Sequence, residues 1–137
     1  RGSASGEFNY PTNIWIDKDG NIYIIDSMNF RVQVLDSSGK VISVFGTMGD
    51  ASGYFARPKG IATDSHGNIY ISDALFHVVQ IFDIKGNFLL NFGSQGYEAG
   101  QFWMPSGIYI DPEDKIYVAD SYNSRIQVFQ LTNYVKK

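Results

Sequence analysis

Short runs of β-forming apolar residues alternate with turn residues along the whole chain. In the clearest stretch, four such runs lie at 60–64 (GIATD), 69–72 (IYIS), 78–82 (VVQIF) and 88–92 (FLLNF). The segments between them are rich in glycine, asparagine and aspartate, which favour tight turns. No segment keeps apolar residues at the 3.6-residue spacing of a helix. The pattern therefore predicts four short antiparallel strands and no helix.

The same pattern recurs every 47 residues, as the step from Asp26 to Asp73 and from Asp73 to Asp120 shows. Other sets keep this step: Pro11, Pro58 and Pro105; Phe8, Phe55 and Phe102; Tyr23, Tyr70 and Tyr117; Gln33, Gln80 and Gln127. A fixed period of this size indicates a repeat architecture. We predict a single domain of three repeats, at about 4–50, 51–97 and 98–137, of which the last is incomplete.

Four strands in a repeat of this length are typical of a β-propeller blade. The fold predicted is all-β, with three blades of four antiparallel strands per chain. In the third copy the fourth strand would have to continue to about position 139, so residues 133–137 supply at most its beginning. We therefore expect eleven strands and a stub.

The repeat resembles that of the NHL repeat family across residues 4–137. The resemblance is carried by 58–61 (PKGI), 67–71 (GNIYI), Asp73 and 120–129 (DSYNSRIQVF). It implies a propeller of six blades, so that three blades make half a ring. It implies no single activity, because the family includes enzymes, RNA-binding regulators, sensor domains and interaction modules.

A half ring leaves two interpretations open: two chains associate, or the sequence is a piece of a longer chain. A blade has two apolar faces that neighbouring blades must cover. A wedge of three blades would expose one such face at each end, as isolated proteins rarely do. We predict self-association, with a homodimer that uses both ends to complete the ring.

Charge narrows the range of partners. The formal net charge is −3 and the pI is about 5.2, whereas nucleic-acid-binding surfaces are basic. Nucleic acid is therefore disfavoured as a partner. No apolar run approaches the ~20 residues of a membrane-spanning helix. The chain has no cysteine, so no disulfide or thiolate metal site is predicted, and the sequence does not indicate a cellular compartment.

Candidate binding residues are those that break the repeat. Phe76 and His77 stand in the loop after the second strand, where an exposed aromatic pair can anchor a partner; the alternative is drift in a tolerant loop. The loop that joins blades varies as well, and strand reversal places both loops at one end of the blade. The predicted binding rim consists of Arg57, Phe76, His77, Trp103, Met104 and Tyr122. For Trp103, packing on the neighbouring blade is an equal alternative.

Catalytic and metal sites are not predicted. The two histidines, His66 and His77, fall at opposite ends of one strand and cannot share an ion, whereas a catalytic zinc usually has three protein ligands. The recurring aspartates are interpreted as turn residues, and no cofactor is expected. The predicted function is a non-enzymatic scaffold for a protein or peptide. The alternatives are a channel-site enzyme or sugar- or ion-binding propeller, and an RNA-binding domain.

Overall fold

The computed structural model describes residues 1–131, which form three antiparallel sheets with the strands of each sheet in chain order. Blade 1 consists of β1 (Pro11–Ile16), β2 (Ile22–Asp26), β3 (Arg31–Leu35) and β4 (Val41–Phe45). Blade 2 consists of β5 (Pro58–Thr63), β6 (Ile69–Asp73), β7 (Val78–Phe82) and β8 (Phe88–Phe92). Blade 3 consists of β9 (Pro105–Ile110), β10 (Ile116–Asp120) and β11 (Arg125–Phe129).

The predicted all-β fold of three blades is confirmed. Some strand bounds and one turn differ from the prediction: β5 ends at Thr63 instead of residue 64, and β6 ends at Asp73 instead of residue 72. Strand β5 begins at Pro58, because Pro58 pairs with Asp73 across an irregularity that the alternation of side chains does not reveal. A single 3₁₀ turn at Ser27–Asn29 was not predicted, since three residues are too few to show a period. The expected start of a fourth strand at 133–137 lies outside the described residues.

The blades pack face to face through two apolar cores. The core between blades 1 and 2 contains Tyr23, Ile25, Val32, Val34, Phe55, Ile61, Ile69, Ile71 and Phe82. The core between blades 2 and 3 contains Ala62, Tyr70, Val79, Ile81, Phe102, Ile108, Ile110, Ile116 and Val118. The first strands of neighbouring blades lie against each other, β1 against β5 and β5 against β9. These strands are therefore the inner strands of the wedge.

Equivalent side chains show that the two end faces of the wedge are open. Ile61 and Ile108 are 1% and 8% exposed, but their equivalent in blade 1, Ile14, is 57% exposed. At the other end, Val79 is fully buried whereas its equivalent in blade 3, Ile126, is 63% exposed. Each end therefore presents a sheet face of the type that is covered inside the wedge. No helix among residues 1–131 is long and apolar enough to cross a membrane.

A glutamine on the third strand of each blade fixes the segment that precedes the blade. We call the segments 1–10, 46–57 and 93–104 the leading loops. In blade 2, the Gly53 N–H donates to Gln80 Oε1 at 2.7 Å, and Gln80 Nε2 donates to the Tyr54 carbonyl at 2.8 Å. Gln33 and Gln127 make the corresponding pair of bonds in the other blades. Each leading loop is thus held by the blade that follows it.

The inner strands of blades 2 and 3 approach each other closely at Gly60. Its N–H donates to Ser72 Oγ at 2.9 Å, and that hydroxyl donates to the Ser106 carbonyl of the next blade. A methyl group on Gly60 would overlap the Ser106 carbonyl oxygen and come within 2.9 Å of the Ile108 nitrogen. At the equivalent Gly107, the nearest atom is Ala119 Cβ at 4.0 Å. Gly60, which faces blade 3, therefore has no room for a side chain, whereas Gly107 has.

We expect Gly60→Ala to lower the free energy of unfolding by about 2–3 kcal/mol, because backbone atoms of blade 3 would have to move. Measured on the monomeric chain, in which Gly107 faces the open end, the matched Gly107→Ala change should alter it by less than about 1 kcal/mol. Urea unfolding followed by circular dichroism measures both values. Equal effects of the two substitutions would show that blades 2 and 3 do not meet as described.

Candidate functional site

The leading loops and the turns after the second strands meet at one end of the wedge, which we call the rim. A buried aspartate at the end of each second strand ties them together. Asp26 accepts hydrogen bonds from the Asn9 N–H at 2.7 Å, Asn29 Nδ2 at 2.9 Å and Arg31 Nε at 2.8 Å. The carboxylate therefore joins a leading loop to the turn of the same blade.

The other two blades make the same connection, blade 3 with equivalent donors and blade 2 with different ones. Asp120 accepts from the Trp103 N–H at 2.7 Å and from Arg125 Nε at 2.8 Å. Blade 2 lacks the arginine, and Asp73 accepts backbone N–H groups instead, from Ala56, Arg57, Leu75 and Phe76. The three carboxylates are occupied by the loops, in agreement with their interpretation as turn residues.

Hydrogen bonding keeps Asp26 and Asp120 charged although both are buried. Burial alone would raise the pKa of Asp26, but bonds from the Asn29 amide, the Asn9 N–H and the Arg31 guanidinium outweigh it, and its pKa lies below the usual value. The pKa of Asp120 is lowered in the same way, since the Trp103 N–H and the Arg125 side chain outweigh burial. Because the charged form is favoured in the folded state, both groups stabilise the fold at neutral pH.

Four of the predicted binding residues lie together at the rim, and we call them the rim cluster: His77, Trp103, Met104 and Tyr122. His77 Nδ1 accepts the Met104 N–H at 2.9 Å. The Trp103 ring lies with its centroid 6.0 Å from His77 and 5.4 Å from Tyr122. Trp103 is half-buried and contacts a residue of blade 2, so the packing alternative is correct for part of this side chain.

The expectation that Phe76 and His77 form an exposed pair is wrong, because both are half-buried. The Phe76 N–H is bonded to Asp73, and His77 is turned toward Met104. Leu75 is the exposed residue of this turn. Arg57 is exposed at the same end. Among residues 1–131, no hydrogen bond or ring contact joins the side chains of Arg57 or Phe76 to the rim cluster.

A cavity beside the rim cluster was not anticipated from the sequence. In blade 1 the hydroxyls of Thr12 and Ser27 are 2.5 Å apart, and in blade 3 those of Ser106 and Ser121 are 2.5 Å apart. The equivalent pair in blade 2 is Lys59 and Ala74, which cannot form this bond. A cavity of about 360 Å³ lies there and is lined by Lys59, Ala74, Met104, Pro105, Ser106, Ser121 and Tyr122. Comparing Thr12 and Ser27 with positions 47 residues later would have revealed the change.

A larger cavity, of about 750 Å³, lies at the opposite end, where the hairpins after the inner strands of all three blades meet. Its aspartates are engaged in those hairpins. Asp17 accepts the N–H groups of Asp19 and Asn21 and the Tyr23 hydroxyl at 2.8 Å. Burial would raise the pKa of Asp17, but these bonds outweigh it and lower the pKa. Within the described part of the chain, no three His, Cys, Asp or Glu residues are grouped so that they could hold a metal ion.

We expect Asp120→Asn to destabilise the fold by about 3 kcal/mol at pH 7, because Arg125 would lose its carboxylate partner. The pKa of Asp120 is lowered on folding, so its contribution is present above the ordinary aspartate value of 3.8 and is lost as the pH falls through the lower folded value. The difference in the free energy of unfolding between Asp120→Asn and the parent should therefore decrease in strong acid. Urea unfolding over a pH series measures it.

The exposed Asp50 provides the control, since Asp50→Asn removes one acidic charge without touching a loop contact. Its unfolding free energy should follow that of the parent at every pH. A constant difference between Asp120→Asn and the parent down to the lowest pH would contradict the assigned role of this carboxylate.

Known proteins resemble this chain in one repeat sequence and in fold. The family model described as NHL repeat matches residues 102–129, from Phe102 to the end of β11. No curated protein matches the chain in sequence.

Similar solved structures include Kuenenia stuttgartiensis hydrazine synthase, with 19% identity, a TM-score of 0.60, and coverage of 90% of this chain and 36% of that chain. A catalytically inactive virginiamycin B lyase from Staphylococcus aureus with quinupristin is 13% identical and has a TM-score of 0.62. The match covers 91% of this chain and 42% of that chain. Regucalcin, a calcium-binding protein from Agrobacterium tumefaciens, is 17% identical and has a TM-score of 0.62. The match covers 88% of this chain and 45% of that chain.

At these identities the likeness concerns the fold alone, and the chain spans less than half the length of each of these structures. The repeat match and the three antiparallel sheets nevertheless agree with each other. Residues 102–129 match the NHL repeat, and the three blades have the fold of a partial β-propeller.

Proposed function

We propose that this chain is a non-enzymatic scaffold that binds a protein or peptide through the rim cluster. The observation that supports it is the contact of Trp103 with both His77 and Tyr122, which joins variable residues of two blades into one aromatic surface. Tryptophan and tyrosine are enriched among the residues that dominate binding energy at interfaces. The repeat itself requires none of these residues, since each differs from its equivalents in the other blades.

The rim cluster is also held in place before any partner arrives. The bond from the Met104 N–H to His77 Nδ1 fixes one leading loop against the turn of the preceding blade. The Trp103 N–H is held by the buried Asp120. A surface that is ordered in advance loses less conformational entropy on binding. The aromatic rings are therefore suited to recognition rather than to filling the interior.

We expect Tyr122→Ala to weaken peptide binding at least tenfold, because Tyr122 is 68% exposed and forms the outer ring of the rim cluster. Peptides selected from a phage-displayed library on the parent chain supply the ligands, and fluorescence polarisation of labelled synthetic copies measures the affinities. Tyr97→Ala is the control, since Tyr97 is 74% exposed in the leading loop of Trp103 and no ring contact within residues 1–131 joins it to the rim cluster. Equal binding by the two variants would refute the role of the rim.

We further propose that a second copy of the chain covers the open end faces. The inner contacts support this, because the face around Ile14 corresponds to faces of blades 2 and 3 that are covered by a preceding blade. The face around Ile126 corresponds to the face of blade 2 that blade 3 covers. The two ends thus have the same complementary shapes as the internal interfaces, and a head-to-tail pair would cover both. Six blades would then close a ring.

We expect the parent chain to sediment as a dimer at micromolar concentrations and Ile126→Asp to sediment as a folded monomer, because a carboxylate would be buried in the new interface. Ile84→Asp is the matched control, since Ile84 is exposed in an outer turn away from both end faces. Analytical ultracentrifugation and circular dichroism give the two readouts. If the parent chain sediments as a monomer, the proposed dimer is wrong, whereas the proposed binding role of the rim cluster is not affected.

A further inference from the structure

The cavity of about 360 Å³ beside the rim cluster differs in chemistry from the rest of the rim. Its volume is at the lower end of the range of ligand pockets in proteins. The walls are mainly apolar, with the methyl group of Ala74 on one side and Met104, Pro105 and Tyr122 on the other. Methionine and aromatic walls suit an apolar guest of variable shape. The cavity therefore has the size and lining to accept an apolar side chain.

The cavity exists where blade 2 departs from its neighbours. At the equivalent positions of blade 1, Thr12 and Ser27 are joined by a hydroxyl–hydroxyl hydrogen bond. In blade 2 the serine is replaced by Ala74, so this bond is lost and a methyl group faces the space. The hydroxyl pair Ser106–Ser121 of blade 3 is intact and satisfied on the opposite wall. Two substitutions within an otherwise repeated structure therefore supply the blade 2 side of the lining.

One of these substitutions adds a positive charge to the lining. Lys59 is exposed and lines the cavity. The ion pairs among residues 1–131 are Arg31–Asp26, Arg125–Asp120 and His66–Asp114, so the ammonium group of Lys59 has no carboxylate partner there. Arg57 is exposed two residues earlier and adds a second cation near the start of β5. The nearest buried acid of this blade, Asp73, is occupied by backbone N–H groups.

We propose that this cavity binds an apolar side chain of an acidic peptide, and that a carboxylate of the same peptide pairs with Lys59. The inference rests on the proposed function, because it names the chemical class of partner that the rim cluster would hold. Tyr122 and Met104 belong to both the cluster and the cavity wall, so one peptide can contact both. The apolar contact supplies affinity, and the charge selects the partner.

The test compares library selections on two chains. The first is the parent. The second carries Lys59→Thr together with Ala74→Ser, which restores the hydroxyl pair that blade 1 has at the equivalent positions. Because the chain already uses these residues in the same place, the double variant should fold, and circular dichroism checks this. Peptides selected on the parent should carry Asp or Glu close to Leu, Met or Phe and should bind the double variant about tenfold more weakly.

Lys59→Glu tests the contribution of the charge to binding independently of the cavity, because Ala74 and the opening stay unchanged. The selected acidic peptides should bind this variant more weakly, and copies with Gln in place of Glu should lose less. The affinity of the parent for the acidic peptides should fall as salt is added. Selection of basic peptides, or an affinity insensitive to both the charge and salt, would overturn the proposal.

The outcomes for this proposal and for the proposed function are distinct. If Tyr122→Ala weakens binding but the double variant does not, the rim binds peptides and the cavity plays no part, so the inference fails alone. If neither change weakens binding, or no peptide is selected on the parent, both fail. Loss of binding in Tyr122→Ala, Lys59→Glu and the double variant supports both.

Discussion

Contact between apolar sheet faces is the interaction on which the rest of the structure depends. A propeller blade is a thin sheet with side chains on both sides, so it has no interior of its own. The side chains of blade 2 are buried because blade 1 covers one face and blade 3 covers the other. Ile14 and Ile126, at positions that are covered elsewhere in the wedge, are left exposed at its ends. The stability of a blade therefore depends on its neighbours as much as on its own sequence.

Polar contacts have a different task, which is to hold the loops of the rim against the sheets. Asp26 and Asp120 use an arginine and an asparagine for this, and Asp73 uses backbone N–H groups. The connection is preserved although the partners change. Loop side chains at the rim are consequently free to vary, because the aspartate and the backbone fix the path of the chain. Because the aspartates fix the loops and the other loop side chains can vary, one repeated blade structure can carry an aromatic cluster at one position and a lysine-lined cavity at another.

The sequence predicts the fold well because each strand leaves a local signal. Strands β7 and β8 have the predicted bounds, since apolar runs and flanking turns define both ends. The start of β5 was missed because Pro58 pairs with Asp73 through a bulge, which depends on the partner strand.

Side-chain contacts at the rim were harder to predict. The aromatic residues could be assigned to one end from strand direction alone, but the turn of His77 toward Met104 depends on the distance between two blades. The exposure expected for Phe76 was therefore wrong. The cavity beside Lys59 was missed for another reason. The sequence does not show that the residues at positions 59 and 74 face each other, and the hydroxyl bonds at the equivalent positions of blades 1 and 3 reveal this.

The contact of each glutamine with its leading loop, which we call the glutamine clip, has a consequence for how such repeats can be duplicated. Gln80 binds the loop that comes before its own blade, at Gly53 and Tyr54, rather than the loop that follows it. The smallest segment that carries both these contacts and a whole blade thus begins in a leading loop and ends with the fourth strand. Gene duplication that copied the chain from one sheet edge to the next, without the preceding loop, would separate the glutamine from its partners. Tandem growth of these repeats is therefore expected to have its breakpoints just after the fourth strand, where a new copy arrives with its own clip.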